Sequence, residues 1–186
     1  MSVRTIRYYD QQNLLKPSAR SKGGARRYSD ADFAKLQQIL LLKYLGFSLG
    51  EIRGLTLGAS DQIGTSTYTL DLARLLVDMI ETDKYGYYHA TNAELPETAN
   101  GYDENGTKTG YISWYDFTKE IYRQAGYKTK VTPVTTEEYG LSKAVRPFNS
   151  RLDKSKLEKN GFKPLPTWPD AVHRYLEALK ADGFFD

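Results

Sequence analysis

The chain has 186 residues, no cysteine, two histidines and a formal net charge of +3. That length holds one medium domain or two small ones, and the missing thiols exclude a disulfide framework, a thiolate metal site and a cysteine nucleophile. No run approaches the roughly eighteen apolar residues that cross a bilayer, and no signal-peptide pattern opens the chain, so a cytoplasmic protein without a membrane partner is expected.

Charge divides the chain at Leu57-Gly58-Ala59-Ser60. Residues 1–57 carry ten Lys/Arg against four Asp/Glu, a net of +6; residues 58–186 carry sixteen against nineteen, a net of −3. Only the first segment is suited to approach a polyanion. Two modules are therefore expected, 1–57 and 58–186.

In the first module Ser2 is an N-cap, with Val3 and Ile6 on the inward side of a short helix. Arg4, Arg7 and Tyr8, at i, i+3 and i+4, share the opposite face. Two guanidiniums and a phenol there suit phosphates and base edges. Leu14-Leu15-Lys16-Pro17 is expected to end the helix. A basic loop follows, Arg20 to Tyr28, in which Gly23 and Gly24 permit the turn of a two-stranded ribbon. Ser29 and Asp32 form a capping box for a second helix, with Phe33, Leu36, Leu40 and Tyr44 as its apolar stripe. Gly46 stops it, and Ser48 with Glu51 caps a third helix carrying Leu49, Ile52 and Leu55. Helix, basic wing, helix and short helix give the plan of a winged helix-turn-helix.

The motifs Arg7-Tyr8-Tyr9, Leu14-Leu15-Lys16-Pro17, Arg26-Arg27-Tyr28-Ser29 and Leu45-Gly46-Phe47-Ser48-Leu49, in that order, closely resemble the DNA-binding head of MerR-type transcription regulators. The resemblance implies that Val3–Asp10 is the recognition helix, with Arg4, Thr5, Arg7 and Tyr8 facing duplex DNA. Arg20, Arg26, Arg27 and Tyr28 would belong to the wing and hold the backbone. That family has a helix before the recognition helix, and Met1 starts past it. It also dimerises through a long helix after the head, and no heptad run follows Leu55. The expectation is a truncated head with Val3 and Ile6 exposed, whose DNA binding is weak and salt-sensitive.

In the second module Asp61–Thr67 reads as a polar loop. A helix packed through Leu72, Leu75, Leu76, Met79 and Ile80 follows it. Tyr85–Thr91 alternates like a strand, and Asn92–Gly110 reads as an exposed loop. Counted from Asp103, that loop lacks the spacing of a calcium site. Ser113 and Asp116 cap a helix with Trp114, Phe117 and Ile121 inward and Gly126 as its stop. Lys128–Thr135 reads as an edge strand interrupted by Pro133. Asp153 caps a short helix, and Thr167 and Pro169 open a last one packed through Val172, Tyr175, Leu176 and Leu179. The fold class expected is α+β: a truncated winged helix-turn-helix head, then a small mixed α/β module. His89 and His173 share no ligand spacing, so surface positions and no metal are expected.

The stretches DQIGTSTYTLDLARLLVDMIE, YYHATN, GYISWYDFTKEIYRQAGY and above all RPFNSRLDKSKL resemble the C-terminal, substrate-binding part of dTDP-4-dehydrorhamnose reductases, the RmlD family. The resemblance implies a dTDP-sugar nucleotide as ligand, contacted through Gln62, Arg146, Asn149 and Ser150. Arg146 could fork onto a pyrophosphate, or it and Ser150 could only order the loop. Ser66 stands where the family favours proline, which would loosen the loop.

Hydride transfer needs a Rossmann sheet with a glycine-rich turn, and no GxGxxG-type turn occurs here. The complete reductase family implies NADPH; this chain alone is expected to bind no cofactor and to carry no catalytic residues. Two Tyr-x-x-x-Lys spacings, Tyr115/Lys119 and Tyr139/Lys143, resemble the reductase pair, but fifteen tyrosines and fifteen lysines give roughly one by chance. The main expectation is a DNA-binding head fused to a sugar-nucleotide-binding module. A reductase fragment completed by a separate nicotinamide-binding chain, and a fusion without joint function, stay open. Without its sheet, the second module would expose an apolar face able to drive self-association or take a partner chain.

Overall fold

The computed structural model describes residues 2–50, 52–53, 59–139 and 147–183. The chain separates into two compact units, Met1–Gly58 and Ala59–Asp186.

In unit 1, helix α1 (Val3–Gln11) starts at Ser2, whose side chain accepts the Thr5 N–H. The helix does not run on to the proline. It stops at Asn13, whose φ of 56° turns the chain, and the Leu14 and Leu15 N–H groups close onto the Tyr9 carbonyl. Asparagine tolerates this left-handed conformation better than most residues, so the stop is local to Asn13. Tyr9 is the buried residue of α1; Ile6 is half-buried and Val3 is 67% exposed.

Strands β1 (Ala19–Arg20) and β2 (Arg26–Arg27) pair antiparallel, turning through Gly24 at φ +80°. Helix α2 (Asp30–Tyr44) opens on the complete Ser29/Asp32 capping box and ends before Gly46, at φ +88°. Its buried residues are Leu36, Ile39, Leu41 and Leu42, while Leu40 is half-buried, Tyr44 is exposed and Phe33 is 59% exposed. The expected stripe is thus rotated. The run Ile39-Leu40-Leu41-Leu42 is apolar all round, so periodicity alone does not choose the face. Ile52 is buried and Leu49 half-buried; Glu51 and Leu55 lie outside the described residues.

Asp32 also accepts bonds from the hydroxyl and the N–H of Ser18. The Ser18 hydroxyl, followed by the Ser29 N–H, holds its carboxyl down to about 2 from the ordinary 3.8. A lowered value means that this capping contribution is present above the ordinary carboxylate range and is lost as the pH falls from about 4 towards 2. A carboxyl NMR titration should place the Asp32 midpoint near 2, and Ser18→Ala should raise it. A wild-type midpoint at the ordinary value would refute the capping arrangement.

In unit 2 the elements in order are β3 (Ala59–Ser60), β4 (Ile63–Gly64), α3 (Thr69–Ile80), β5 (Asn92–Ala93), β6 (Ile112–Ser113), α4 (Trp114–Gln124), β7 (Pro133–Val134), α5 (Thr136–Tyr139), α6 (Ser155–Lys159), β8 (Leu165–Thr167) and α7 (Trp168–Ala181). Strands β3 and β7 pair parallel, β4 and β6 antiparallel, and β5 and β8 parallel. The segment read as a polar loop therefore contains β4. Residues 85–91 form no strand; pairing begins at Asn92. Nor is 92–110 merely an exposed loop. Bridges Leu95↔Gly110 and Tyr102↔Lys108 fold it into a hairpin, with Thr107 and Thr109 buried. The strand expected across 128–135 contracts to β7. It accommodates Pro133 because the flanking Thr132 and Val134 carbonyls accept the Ala59 and Asp61 N–H groups, so no ladder donor is needed from the proline.

Leu75, Leu157, Phe162 and Leu165 form a core cluster with Met79, Tyr88 and Ala90 against it. Phe117 of α4 meets Trp168 of α7 edge to face, with centroids 5.8 Å apart. The Ser113/Asp116 capping box is complete, and Gly126 follows α4 with φ +73°. Helix α3 buries Leu75 and half-buries Leu72 and Met79, but Leu76, Val77 and Ile80 are exposed, Ile80 at 78%. Both histidines lie at the surface. No helix among the described residues is long and apolar enough to cross a membrane.

Two buried carboxylates organise this unit. Asp71 receives both terminal nitrogens of Arg174, at 2.7 and 2.8 Å, and the Asn92 amide at 2.8 Å. Glu120 receives Arg123 at 2.6 and 2.8 Å, Gln124 at 2.7 Å and the Thr107 hydroxyl at 3.2 Å, which fastens the hairpin to α4.

Candidate functional site

On unit 1, Arg4, Arg7 and Tyr8 stand exposed on one side of α1. Thr5 is half-buried, with its hydroxyl 3.0 Å from that of Ser2, so it belongs partly to the helix cap. Arg26 and Arg20 reach Asp10 of α1, with Nε at 2.6 Å and Nη2 at 3.4 Å. Arg27 and Tyr28 remain exposed on the ribbon side. The sequence reading missed Asp10. Its signal was present, because Asp10 is the only acidic residue before Asp30, set among seven basic residues, Arg4, Arg7, Lys16, Arg20, Lys22, Arg26 and Arg27. The result is a basic surface in two parts, helix and ribbon, joined by one carboxylate.

On unit 2, β4 is flanked on both sides. Ile63 pairs with Ser113 of β6 and bridges in parallel to Asn149. Gln62 is half-buried, and its carbonyl accepts the Trp114 N–H at 3.1 Å. Ser150 donates both its N–H and its hydroxyl to the Ile63 carbonyl, at 3.0 and 3.2 Å, so it orders the loop. Arg146 lies outside the described residues. Asn149 lines a cleft of about 670 Å³ together with Tyr111, Arg151, Asp153, Lys154 and Glu158; Gln62 and Ser150 do not. The three described candidates thus share one backbone cluster, but only Asn149 reaches the cleft.

The Ser66 loop is tied to Asn92. The Asn92 N–H donates to the Ser66 carbonyl at 3.0 Å, and the Asn92 side-chain oxygen accepts the Tyr68 N–H at 2.6 Å. Of the two Tyr-x-x-x-Lys spacings, Tyr115/Lys119 is a cation–π pair, with the ammonium 5.5 Å from the ring centre; Lys143 lies outside the described residues.

Residues 55–181 match the family model described as RmlD substrate binding domain, and residues 1–58 match that of MerR HTH family regulatory protein. The chain is 36% identical over 118 residues to the spore coat polysaccharide biosynthesis protein SpsK of Bacillus subtilis (strain 168), covering 63% of this chain and 35% of SpsK. It is 54% identical over 55 residues to the HTH-type transcriptional activator TipA of Streptomyces coelicolor, covering 30% of this chain and 22% of TipA. The dTDP-4-dehydrorhamnose reductase of Bacillus anthracis str. Ames, solved in complex with NADP, superposes with a TM-score of 0.54 at 34% identity, over 65% of this chain and 37% of that one. The chain therefore spans about a third of the length of its reductase-like relatives. Among the described residues every sheet has two strands and no GxGxxG turn joins a strand to a helix, so the residues present do not form a cradle for that dinucleotide. By the extent of the match the chain belongs to the RmlD substrate binding domain family, and it carries that domain behind a MerR-type helix-turn-helix head.

Proposed function

We propose that residues 1–57 bind duplex DNA and that residues 58–186 bind a dTDP-sugar nucleotide, in a cytoplasmic protein that is not a reductase on its own. On this reading α1 is the recognition helix of a winged helix-turn-helix. Arg4, Thr5, Arg7 and Tyr8 face the bases and nearby phosphates. The β1–β2 ribbon is the wing, with Arg20, Arg26, Arg27 and Tyr28 along the backbone. The supporting observation is the Asp10 latch, which holds Arg20 and Arg26 of the ribbon against α1. In unit 2, Asn149 faces the sugar nucleotide from the cleft, Gln62 and Ser150 order the backbone behind it, and Arg146 is the remaining candidate contact. The exposed strip of Leu76, Val77 and Ile80 on α3 is where self-association or a partner chain would be accommodated.

About four phosphate contacts give a log–log salt slope near −3.6, so DNA affinity should fall about a hundredfold between roughly 50 and 200 mM salt. Fluorescence anisotropy with a labelled duplex measures this directly. Replacing Arg4 and Arg7 together by alanine should flatten the slope by about two. Absence of binding at low salt would remove the DNA-binding half of the proposal, and absence of any heat with dTDP would remove the other half.

A further inference from the structure

Arg151 and Tyr111 meet through backbone pairing. Gly64 of β4 lies opposite Ile112, and Ile63 lies opposite Asn149, so Tyr111 and Arg151 flank the chain one step beyond β4. The guanidinium carbon sits 3.5 Å from the centre of the Tyr111 ring. Its Nε–H donates to the Asn149 side-chain oxygen at 2.9 Å, and that same oxygen accepts the Arg151 backbone N–H at 3.2 Å. Stacking fixes the plane of the guanidinium, and the Nε bond fixes its rotation within that plane.

No carboxylate among the described residues lies within ion-pair distance of Arg151. Asp153, two residues on, instead uses its carboxylate to accept the Ser155 N–H at 2.9 Å. Arg151 therefore brings an oriented, unneutralised fork to a cleft of about 670 Å³, a volume within the range of small-molecule sites. The other cation in the lining is Lys154. Its ammonium contacts Glu94 at 2.6 Å and the Asn92 carbonyl at 3.2 Å, which engages two of its three hydrogens. A pre-oriented guanidinium with an ammonium nearby suits the oxygens of a diphosphate, which accept from both. The lining also carries three carboxylates, Glu94, Asp153 and Glu158; Glu94 is paired with Lys154, and Asp153 and Glu158 suit hydroxyl donors such as those of a sugar.

We propose that Arg151, stacked on Tyr111 and supported by Lys154, receives the diphosphate of a nucleotide sugar lying in this cleft; the proposal rests on the sugar-nucleotide reading of unit 2. Calorimetry on the full chain with dTDP and with thymidine tests it. Arg151→Gln should weaken dTDP about thirtyfold and leave thymidine unchanged, because the lost bonds go to a charged acceptor. Arg151→Lys should recover only part of the loss, since it restores charge without the fork. Tyr111→Leu should weaken dTDP about fivefold by freeing the plane of the guanidinium. An amide NMR spectrum of each variant confirms that the fold is kept. If wild type binds dTDP and Arg151→Gln binds it within twofold, the diphosphate assignment is overturned while the sugar-nucleotide reading stands. Equal losses for dTDP and thymidine also overturn it, since Arg151 would then hold the base or the loop. A wild-type chain that binds no dTDP removes the broader reading and this assignment together.

Discussion

Replacing Asp71 by alanine is expected to destabilise unit 2 by about 3 kcal/mol, the low end of the cost of breaking a buried ion pair, because Arg174 is 30% exposed and water takes up part of its charge. The Asp71 side chain is 2% exposed, and every bond it accepts is made inside the protein. Arg174 would keep its Nε bond to Asp170, at 2.7 Å, and its place over the Tyr68 ring, 5.3 Å from the centroid, but lose both bonds from its terminal nitrogens. Asn92 would keep its bond to the Pro166 carbonyl and lose the charge-assisted one. The damage would not stay on α3, since Asn92 also holds the Ser66–Tyr68 loop. Chemical denaturation of the full chain measures the loss. The double variant Asp71→Leu, Arg174→Met should recover much of it, because replacing a whole buried pair with apolar side chains is often near neutral. Arg174, followed by the Asn92 amide, holds the Asp71 carboxyl below its ordinary value against the opposing effect of burial. Its contribution is therefore present above the ordinary carboxylate range and disappears as pH falls through the lowered value. A midpoint unchanged in Asp71→Ala would show that the pair contributes nothing.

Leu42→Ala should have the second large effect, in unit 1. Leu42 is 1% exposed, and truncating a leucine so enclosed costs about 2–5 kcal/mol in transfer and cavity terms. A unit of this size has only roughly 3–9 kcal/mol in total, so the variant should lose most of its folded head at ambient temperature. In a two-dimensional amide spectrum the signals of residues 1–58 should collapse towards random-coil positions while those of unit 2 remain dispersed. DNA binding should vanish, and dTDP binding should persist. Collapse of both sets of signals would show instead that the two units fold as one.

What could be read from the sequence was whatever a few neighbouring residues decide. The two capping boxes, Ser29/Asp32 and Ser113/Asp116, were legible because donor and acceptor lie three residues apart and need no tertiary partner. The same holds for the Gly24 turn and the Gly46 and Gly126 stops. Faces were less legible. Along α2 leucines and an isoleucine surround the helix, and along α3 Leu76 and Ile80 have the right spacing yet face out, because which apolar stripe is covered depends on what else the chain supplies. Two-residue strands such as β4 carry no periodic signal, so the flanking of Ile63 by Ser113 and Asn149 could not be foreseen. The sites divide in the same way. Arg4, Arg7 and Tyr8 were placed together by helical spacing and do share an exposed face. Asp10 with Arg26, and Arg151 with Tyr111, are joined across sixteen and forty residues, beyond any local rule.

The Asp10 latch has a mechanical consequence. A ribbon bonded to the helix it accompanies has little freedom to swing, so the separation between the two basic surfaces is set before any ligand arrives. On the DNA-binding reading, such a head behaves like a calliper with a locked jaw. Duplexes whose grooves already match its span are accommodated without bending, while others must be deformed at an elastic cost that depends on their sequence. Discrimination would then come partly from the stiffness of the nucleic acid, at base pairs that no side chain touches.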